Sequence, residues 1–248
     1  MIRKNYQIAY KRVREELEKI SAQGWTYEDL LKYGRLDKLQ EKTKEILQEL
    51  YRENNQEIKR RMRNTYLKTA MKTGNTLFND EGMVKSIIKK LDVNKVINSE
   101  MAGIRWGERV NKRRADIIYQ INREVRQGLY NGDTYSTVTK KLKDALGKDA
   151  PGVMQIARTE TRRVRSVGQT DVVDEIAKKK KLLKTWLTMD DERVRASHES
   201  MDGVTIPYEQ EFVTPLGSRG KAPMQLIGLQ SASDNINCRC QLKISLAE

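Results

Sequence analysis

The amino-acid sequence predicts a mainly α fold, in which an elongated N-terminal helical bundle or arm leads into a small α+β C-terminal module. Three observations carry this. No proline occurs before Pro151, whereas Pro207, Pro215 and Pro223 all fall in the last quarter, so the strongest helix breaker is confined to one end. Charge divides at nearly the same place. The 248 residues hold 48 Lys+Arg and 34 Asp+Glu, a net +14; six basic and nine acidic residues lie from Trp186 onward, leaving −3 there and +17 on the first 185 residues. The third observation is the hydrophobic period, which changes from steps of three and four to short β-compatible runs.

Thr26 with Asp29 forms a capping box that opens a short helix, which Gly34 closes. Leu36, Leu39, Thr43, Ile46 and Leu50, continuing through Asn54, Ile58, Met62 and Tyr66, share one face of a long amphipathic helix of roughly ten turns. A further helix is expected from Met83 to about Ile104. Another runs from about Glu108 to Leu129 with Val110, Ile117, Ile118, Ile121 and Val125 inward. Asn131-Gly132-Asp133 supplies a turn and a cap before Tyr135–Leu146, and Pro151 stands at the first turn of a last helix over Gly152–Lys178. Leu182–Leu187 and Gln241–Leu246 read as short strands separated by turn-rich segments. The charge run Lys178–Lys181 marks a junction. The chain thus divides into a helical arm (1–104), a second helical part (105–181) and an α+β module (182–248).

No window approaches 18 consecutive apolar residues, and the N-terminus lacks the apolar stretch of a secretory signal. The expectation is a soluble protein, made inside the cell, with no membrane partner. Cys238 and Cys240 are too few and too close for a disulfide framework. The single histidine, His198, excludes a two-histidine zinc peptidase or a His-Asn-His nuclease. No phosphate-binding loop, dinucleotide fingerprint or Ser/His/Asp spacing is present.

Four groups of residues could carry chemistry or contacts. Cys238 and Cys240, one residue apart, share a face of an extended segment, and with His198 they offer soft ligands suited to structural Zn²⁺. Asp190 and Asp202 are the nearest candidates for a fourth ligand; the other reading is a pair of buried thiols beside a structural histidine. Glu160 falls on the apolar stripe of its helix and needs a cationic partner when buried. Arg158 and Arg162 nearby, or Arg193 and Arg195 from the module, would make it a structural latch rather than a catalytic acid. Glu209 and Glu211 form a Glu-x-Glu pair that resembles ADP-ribosyltransferase sites, although no Ser-Thr-Ser strand accompanies it. The fourth group is basic: Lys59, Arg60, Arg61 and Arg63; Lys112, Arg113 and Arg114; Arg162, Arg163 and Arg165; and Lys178, Lys179, Lys180 and Lys181. These could bind DNA phosphates or an acidic partner in a salt-sensitive, sequence-independent way. No catalytic set stands out, and the chain is read as a non-enzyme.

Several uncommon elements occur together: Gly128-Leu129-Tyr130-Asn131-Gly132; Ile156-Ala157-Arg158-Thr159-Glu160-Thr161; Trp186 with Asp190; Arg193-Val194-Arg195; His198; Asp202-Gly203; Phe212; Pro215; and Asn237-Cys238-Arg239-Cys240. In order and spacing, from about Arg105 to Cys240, they resemble the phage Mu F-like minor head protein family, also called phage head morphogenesis proteins. The doubled acid in Asp190-Asp191-Glu192 departs from the pattern. The resemblance implies a minor capsid protein of a tailed double-stranded DNA phage or prophage. Such a protein sits in the virion, in the capsid interior near the portal, and in the host cytoplasm during assembly. Its implied partners are the portal protein, scaffold or major capsid protein, and packaged DNA. The resemblance also carries metal binding onto His198, Cys238 and Cys240. The competing classes are an ADP-ribosyltransferase-like enzyme and a host non-specific DNA-binding protein.

Overall fold

The computed structural model describes residues 1–247, a predominantly helical chain with a long helical N-terminal region and a small C-terminal module of antiparallel strands. The helices are α1 (Ile2–Ser21), α2 (Tyr27–Lys32), α3 (Arg35–Phe78), α4 (Glu81–Lys90), α5 (Val93–Asn98), α6 (Trp106–Tyr130) and α7 (Tyr135–Ala177), with α8 (Ala196–Glu199) and α9 (Ser231–Asn235) inside the module. The strands are β1 (Leu182–Leu187), β2 (Thr205–Pro207), β3 (Phe212–Val213), β4 (Arg219–Gly220), β5 (Leu226–Ile227) and β6 (Gln241–Leu246). Among the described residues no helix is long and apolar enough to cross a membrane. The chain forms two compact units, each drawn from two separate stretches: Met1–Ile58 with Gly107–Ile156, and Lys59–Trp106 with the residues from Ala157 onward.

The first unit is built from amphipathic stripes. In α1, Ile2, Tyr6, Ala9, Val13 and Leu17 recur every three or four residues and are all buried. Leu36, Leu39, Ile46 and Leu50 of α3, Val110, Ile117, Ile121 and Val125 of α6, and Val138, Leu142 and Val153 of α7 complete this core. One carboxylate ties the four helices together. Asp149 on α7 accepts from Tyr6 on α1 at 2.5 Å, from Tyr51 on α3, and from Arg113 Nε on α6 at 3.0 Å. Burial, the neighbouring phenol and the carboxylate push the Tyr6 hydroxyl far above its ordinary pKa, so both phenols stay protonated donors.

The capping box forms as read: Thr26 Oγ1 accepts from Asp29 N at 3.2 Å and Asp29 Oδ2 accepts from Thr26 N at 3.0 Å. Three local expectations are corrected. After α6, Gly132 at φ 71° closes a Schellman motif in which Asp133 N bonds Gly128 O and Gly132 N bonds Leu129 O. The cap of α7 is Thr134, whose hydroxyl accepts from Thr137 N, while Asp133 pairs with Lys141. Second, α7 runs unbroken through Pro151. The lost N–H and the crowded carbonyl of Gly147 lie on an exposed turn, while Ala150 and Val153 are buried and hold the helix across it. Third, Met83–Ile104 is not one helix. Asp92 Oδ1 accepts from Lys95 N at 2.9 Å, and this competing cap starts α5 after α4 has ended.

In the second unit β1 pairs antiparallel with β2 and β6, giving the order β2-β1-β6, and β3, β4 and β5 form a second antiparallel sheet. Leu183 faces Pro207 on one side and Ser245 on the other, a register that turns Leu182, Lys184 and Trp186 inward. Ala70, Val172, Val173, Ile176, Leu182 and Tyr208 form one core cluster; Trp186, Met201, Phe212, Ala222, Leu226 and Leu242 form another. Gly168 is required where α7 passes α3, because a Cβ there would stand 2.9 Å from the carbonyl oxygen of Tyr66. Lys184 is fully buried in this unit. Its ammonium donates to Lys221 O at 2.8 Å and lies 5.1 Å from the Phe212 ring centre. Burial, then the nearby Lys221 charge, lowers its pKa to about 8.

Candidate metal centre

Three short elements of the second unit deliver the site. Helix α8 presents His198, α9 presents Asp234, and the extended approach to β6 presents Cys238 and Cys240. His198 Nδ1 lies 3.6 Å from Cys238 Sγ and 3.5 Å from Cys240 Sγ. The ligand atoms of these three residues all fall within 4.8 Å of one another, a group able to hold a metal ion. Zinc bonds of about 2.3 Å to sulfur and 2.0–2.1 Å to nitrogen at tetrahedral angles imply an N···S edge of about 3.6 Å. The observed spacing fits that edge.

The other ring nitrogen is held. His198 Nε2 lies 3.2 Å from Asp234 Oδ1, which also accepts from Ser197 Oγ, while Asp234 Oδ2 accepts from Thr214 Oγ1 at 2.9 Å. Burial pushes the Asp234 carboxyl up, but the hydroxyls that donate to it, Thr214 and Ser197 among them, outweigh it and keep the group below its ordinary value. A carboxylate on the far nitrogen fixes the tautomer that turns Nδ1 toward the sulfurs, as in carboxylate–histidine–metal triads. Trp186 packs edge-on against His198, ring centres 5.2 Å apart, and Phe212 packs on Trp186. The two thiols differ: the neighbouring Cys240 sulfur and burial drive Cys238 up, while the Cys238 sulfur and His198 hold Cys240 below the ordinary thiol value against burial.

Asp190 and Asp202 are not in this group. Asp202 Oδ1 is occupied by the backbone N–H and hydroxyl of Thr188, and Asp190 is an exposed residue at φ 48°. The acid of the site is Asp234, which no spacing in the sequence marked. A cavity of about 20 Å³ opens beside the thiols, lined by Met189, Arg193, Val194, Arg195 and Asn237. It has room for a single water.

Arginines fix the loop that carries the cysteines, but through carbonyl groups. Arg195 donates to Asp234 O at 2.8 Å, to Ile236 O at 2.7 Å and to Ser233 O. Arg162 reaches Asn237 O and Cys238 O, and Thr159 Oγ1 accepts from Asn237 N. Arg193 pairs at 3.8 Å with Asp191, which Arg239 grips with both guanidinium nitrogens; Arg158 is exposed. The buried partner of Glu160 is a fifth arginine. Arg163 Nε donates to Glu160 at 2.7 Å, and its other nitrogens donate to Ser99 Oγ at 2.6 Å and Val96 O at 3.0 Å. The Glu160 latch therefore fastens the end of α5 to α7. The sequence signal was available, because residues three apart on a helix face one another and residues two apart do not.

The basic groups are not equivalent. Arg113 and Arg163 are committed to Asp149 and Glu160, and Lys178 pairs with Glu175. Lys59, Arg60, Arg61, Arg63, Lys112, Arg165, Lys179, Lys180 and Lys181 are exposed, and Arg114 is half-buried. Lys178–Lys181 forms the turn linking α7 to β1. Glu209 and Glu211 are exposed between β2 and β3.

A family model described as Phage Mu protein F like protein matches residues 119–243, half of the chain and the whole of the His/Cys centre. The chain belongs to this family. The Phage Mu F-like region thus takes in the C-terminal half of α6, all of α7 and nearly all of the module. The minor head protein GP7 of Bacillus phage SPP1 is 26% identical over 233 residues, covering 93% of this chain and 75% of GP7. An NAD(+)–arginine ADP-ribosyltransferase, EFV, of Enterococcus faecalis is 28% identical over 146 residues, 58% of this chain but 29% of the transferase. No solved structure gives a significant match. As a Phage Mu F-like chain it stands among the minor head proteins of phage head morphogenesis.

Proposed function

We propose that this Phage Mu F-like protein is a structural component of a tailed-phage head that joins the portal during procapsid assembly and afterwards lies against packaged double-stranded DNA in the capsid interior. The observation that carries the reading is likeness to a minor head protein along 93% of the chain. Scaffold or major capsid protein are its further assembly partners, in the host cytoplasm before the head is complete. The exposed cations at Lys59–Arg63, Lys112, Arg165 and Lys179–Lys181 support contact with phosphates. In this reading residues 1–104 act as the arm, residues 105–181 carry the Arg-Thr-Glu helix, and residues 182–248 form the docking module. Heads assembled without the protein should be defective in assembly or DNA delivery. Normal infectious particles would overturn the proposal.

The His198, Cys238 and Cys240 group is read as a zinc site that stabilises the module, supported by its tetrahedral spacing and the Asp234 bond. A second reading, ADP-ribosyl transfer using Glu209 and Glu211, draws on the partial likeness to a transferase. Incubation with labelled NAD separates the two: the structural reading expects no label transfer, and transfer abolished by Glu211→Ala would establish the enzyme.

A further inference from the structure

Within the second unit, the C-terminal half of α3, the middle of α7 and β6 enclose an open groove of about 570 Å³. Lys68, Lys72, Arg162, Arg165, Arg239 and Lys243 line it, and among the described residues no carboxylate does. Arg162 and Arg239 are held by the Cys238 carbonyl and by Asp191. Lys68, Lys72 and Lys243 have no ion-pair partner among the described residues, and Arg165 reaches only the Gln241 amide, at 3.4 Å. That contrasts with the first half of the same helix, where Lys42 pairs with Glu45 and Lys44 with Glu41. Helix α3 has no Asp or Glu after Glu57, so neither lysine can be neutralised from its own helix.

The floor is apolar. Leu77, Met224, Leu242 and Ile244 line it, and short threonines at 65, 69, 73 and 76 keep the α3 wall low. No aromatic side chain is present for base stacking, and a phosphodiester strand would leave this floor without an apolar counterpart. Lys68 and Lys72 are one turn apart, roughly 6 Å along the axis, which matches carboxylates at i and i+4 on a facing helix. We propose that this groove docks an acidic amphipathic helix of an assembly partner, its carboxylates on Lys68, Lys72 and Lys243 and its apolar side chains on the Leu77–Leu242–Ile244 floor. The mode is helix-in-groove recognition. The inference rests on the head-assembly reading and gives it a protein-binding site that shares only Arg165 with the DNA-facing cations.

The test uses the full chain and a fluorescein-labelled four-turn peptide with glutamates at i and i+4 and leucines on the same face, read by anisotropy. Saturable binding is expected, weakened at least roughly tenfold in the Lys68→Glu/Lys72→Glu/Lys243→Glu variant and kept in the corresponding Lys→Arg variant. The Glu→Gln peptide should lose affinity to the same extent. If the charge-reversed chain fails to fold, the Lys→Gln triple replaces it. Equal binding to wild type and variant overturns the proposal. So does a DNA duplex that displaces the peptide and itself loses affinity in the same variant, because the groove would then be a phosphate site. Failure here leaves the omission test on assembled heads untouched, so the two readings fall separately.

Discussion

His198 and Asp234 meet at 3.2 Å through Nε2 and Oδ1, and that bond aims the opposite nitrogen at two sulfurs 3.5 and 3.6 Å away. Both residues are buried, 1% and 0% exposed, so the orientation is set by packing before any ion arrives. Arg162 and Arg195 hold the backbone on the cysteine side in the same way. A preset geometry of this kind supports the proposed zinc reading.

The protein should bind about one Zn²⁺ per chain, measured by elemental analysis after gel filtration. Cys238→Ser or Cys240→Ser should lose the ion and lower the melting temperature, and Asp234→Asn should weaken affinity roughly 10–100-fold. Affinity should fall as pH is lowered, because protons compete for thiolate and imidazole. Metal-free protein that melts at the wild-type temperature would leave only the buried-thiol reading.

Glu160→Ala strands the Arg163 guanidinium, whose side chain is 4% exposed. A loss of about 3–5 kcal/mol is expected in urea unfolding. Glu160→Gln keeps an acceptor and should cost less. A change within about 0.5 kcal/mol for the alanine variant would contradict the buried pair.

Lys184 sets a pH dependence in the alkaline range. Its folded pKa, about 8, lies below the ordinary 10.5, so between these values the unfolded chain binds more protons than the folded one and stability rises with pH. Relative to Lys184→Met, wild type should gain roughly 1–3 kcal/mol from pH 8 to 10.5. Parallel unfolding curves for the two chains across that window would refute the buried ammonium.

DNA binding by the full chain should be indifferent to sequence and steep in salt. Replacing Lys179, Lys180 and Lys181 by Gln should lower the slope of log K against log salt by about one for each phosphate no longer neutralised. An unchanged slope in filter-binding titrations would remove this turn from the DNA surface.

Elements whose causes are local could be read from the chain: the Thr26–Asp29 capping box, the apolar stripe of α3, and β1 and β6 with the bounds expected. Tertiary choices could not. Pro151 costs its helix a bond, but buried neighbours on both sides outweigh a local rule. Asp234 reaches His198 across 36 residues, and nothing in the spacing separates it from Asp190 or Asp202. Lys184 was visible in principle, because it alternates with Leu182 and Trp186 on the inward face of β1.

The meeting of Tyr6, Tyr51 and Arg113 on Asp149 bears on how the chain is made. Tyr51 precedes its acceptor by 98 residues and Tyr6 by 143. At roughly 5–20 residues per second, α1 and the start of α3 wait on the order of ten seconds at the ribosome for the carboxylate that satisfies their phenols. During that interval their apolar faces have one another and whatever the host offers. The first unit therefore closes late, and a chain released before Asp149 would leave the ribosome as an incomplete bundle.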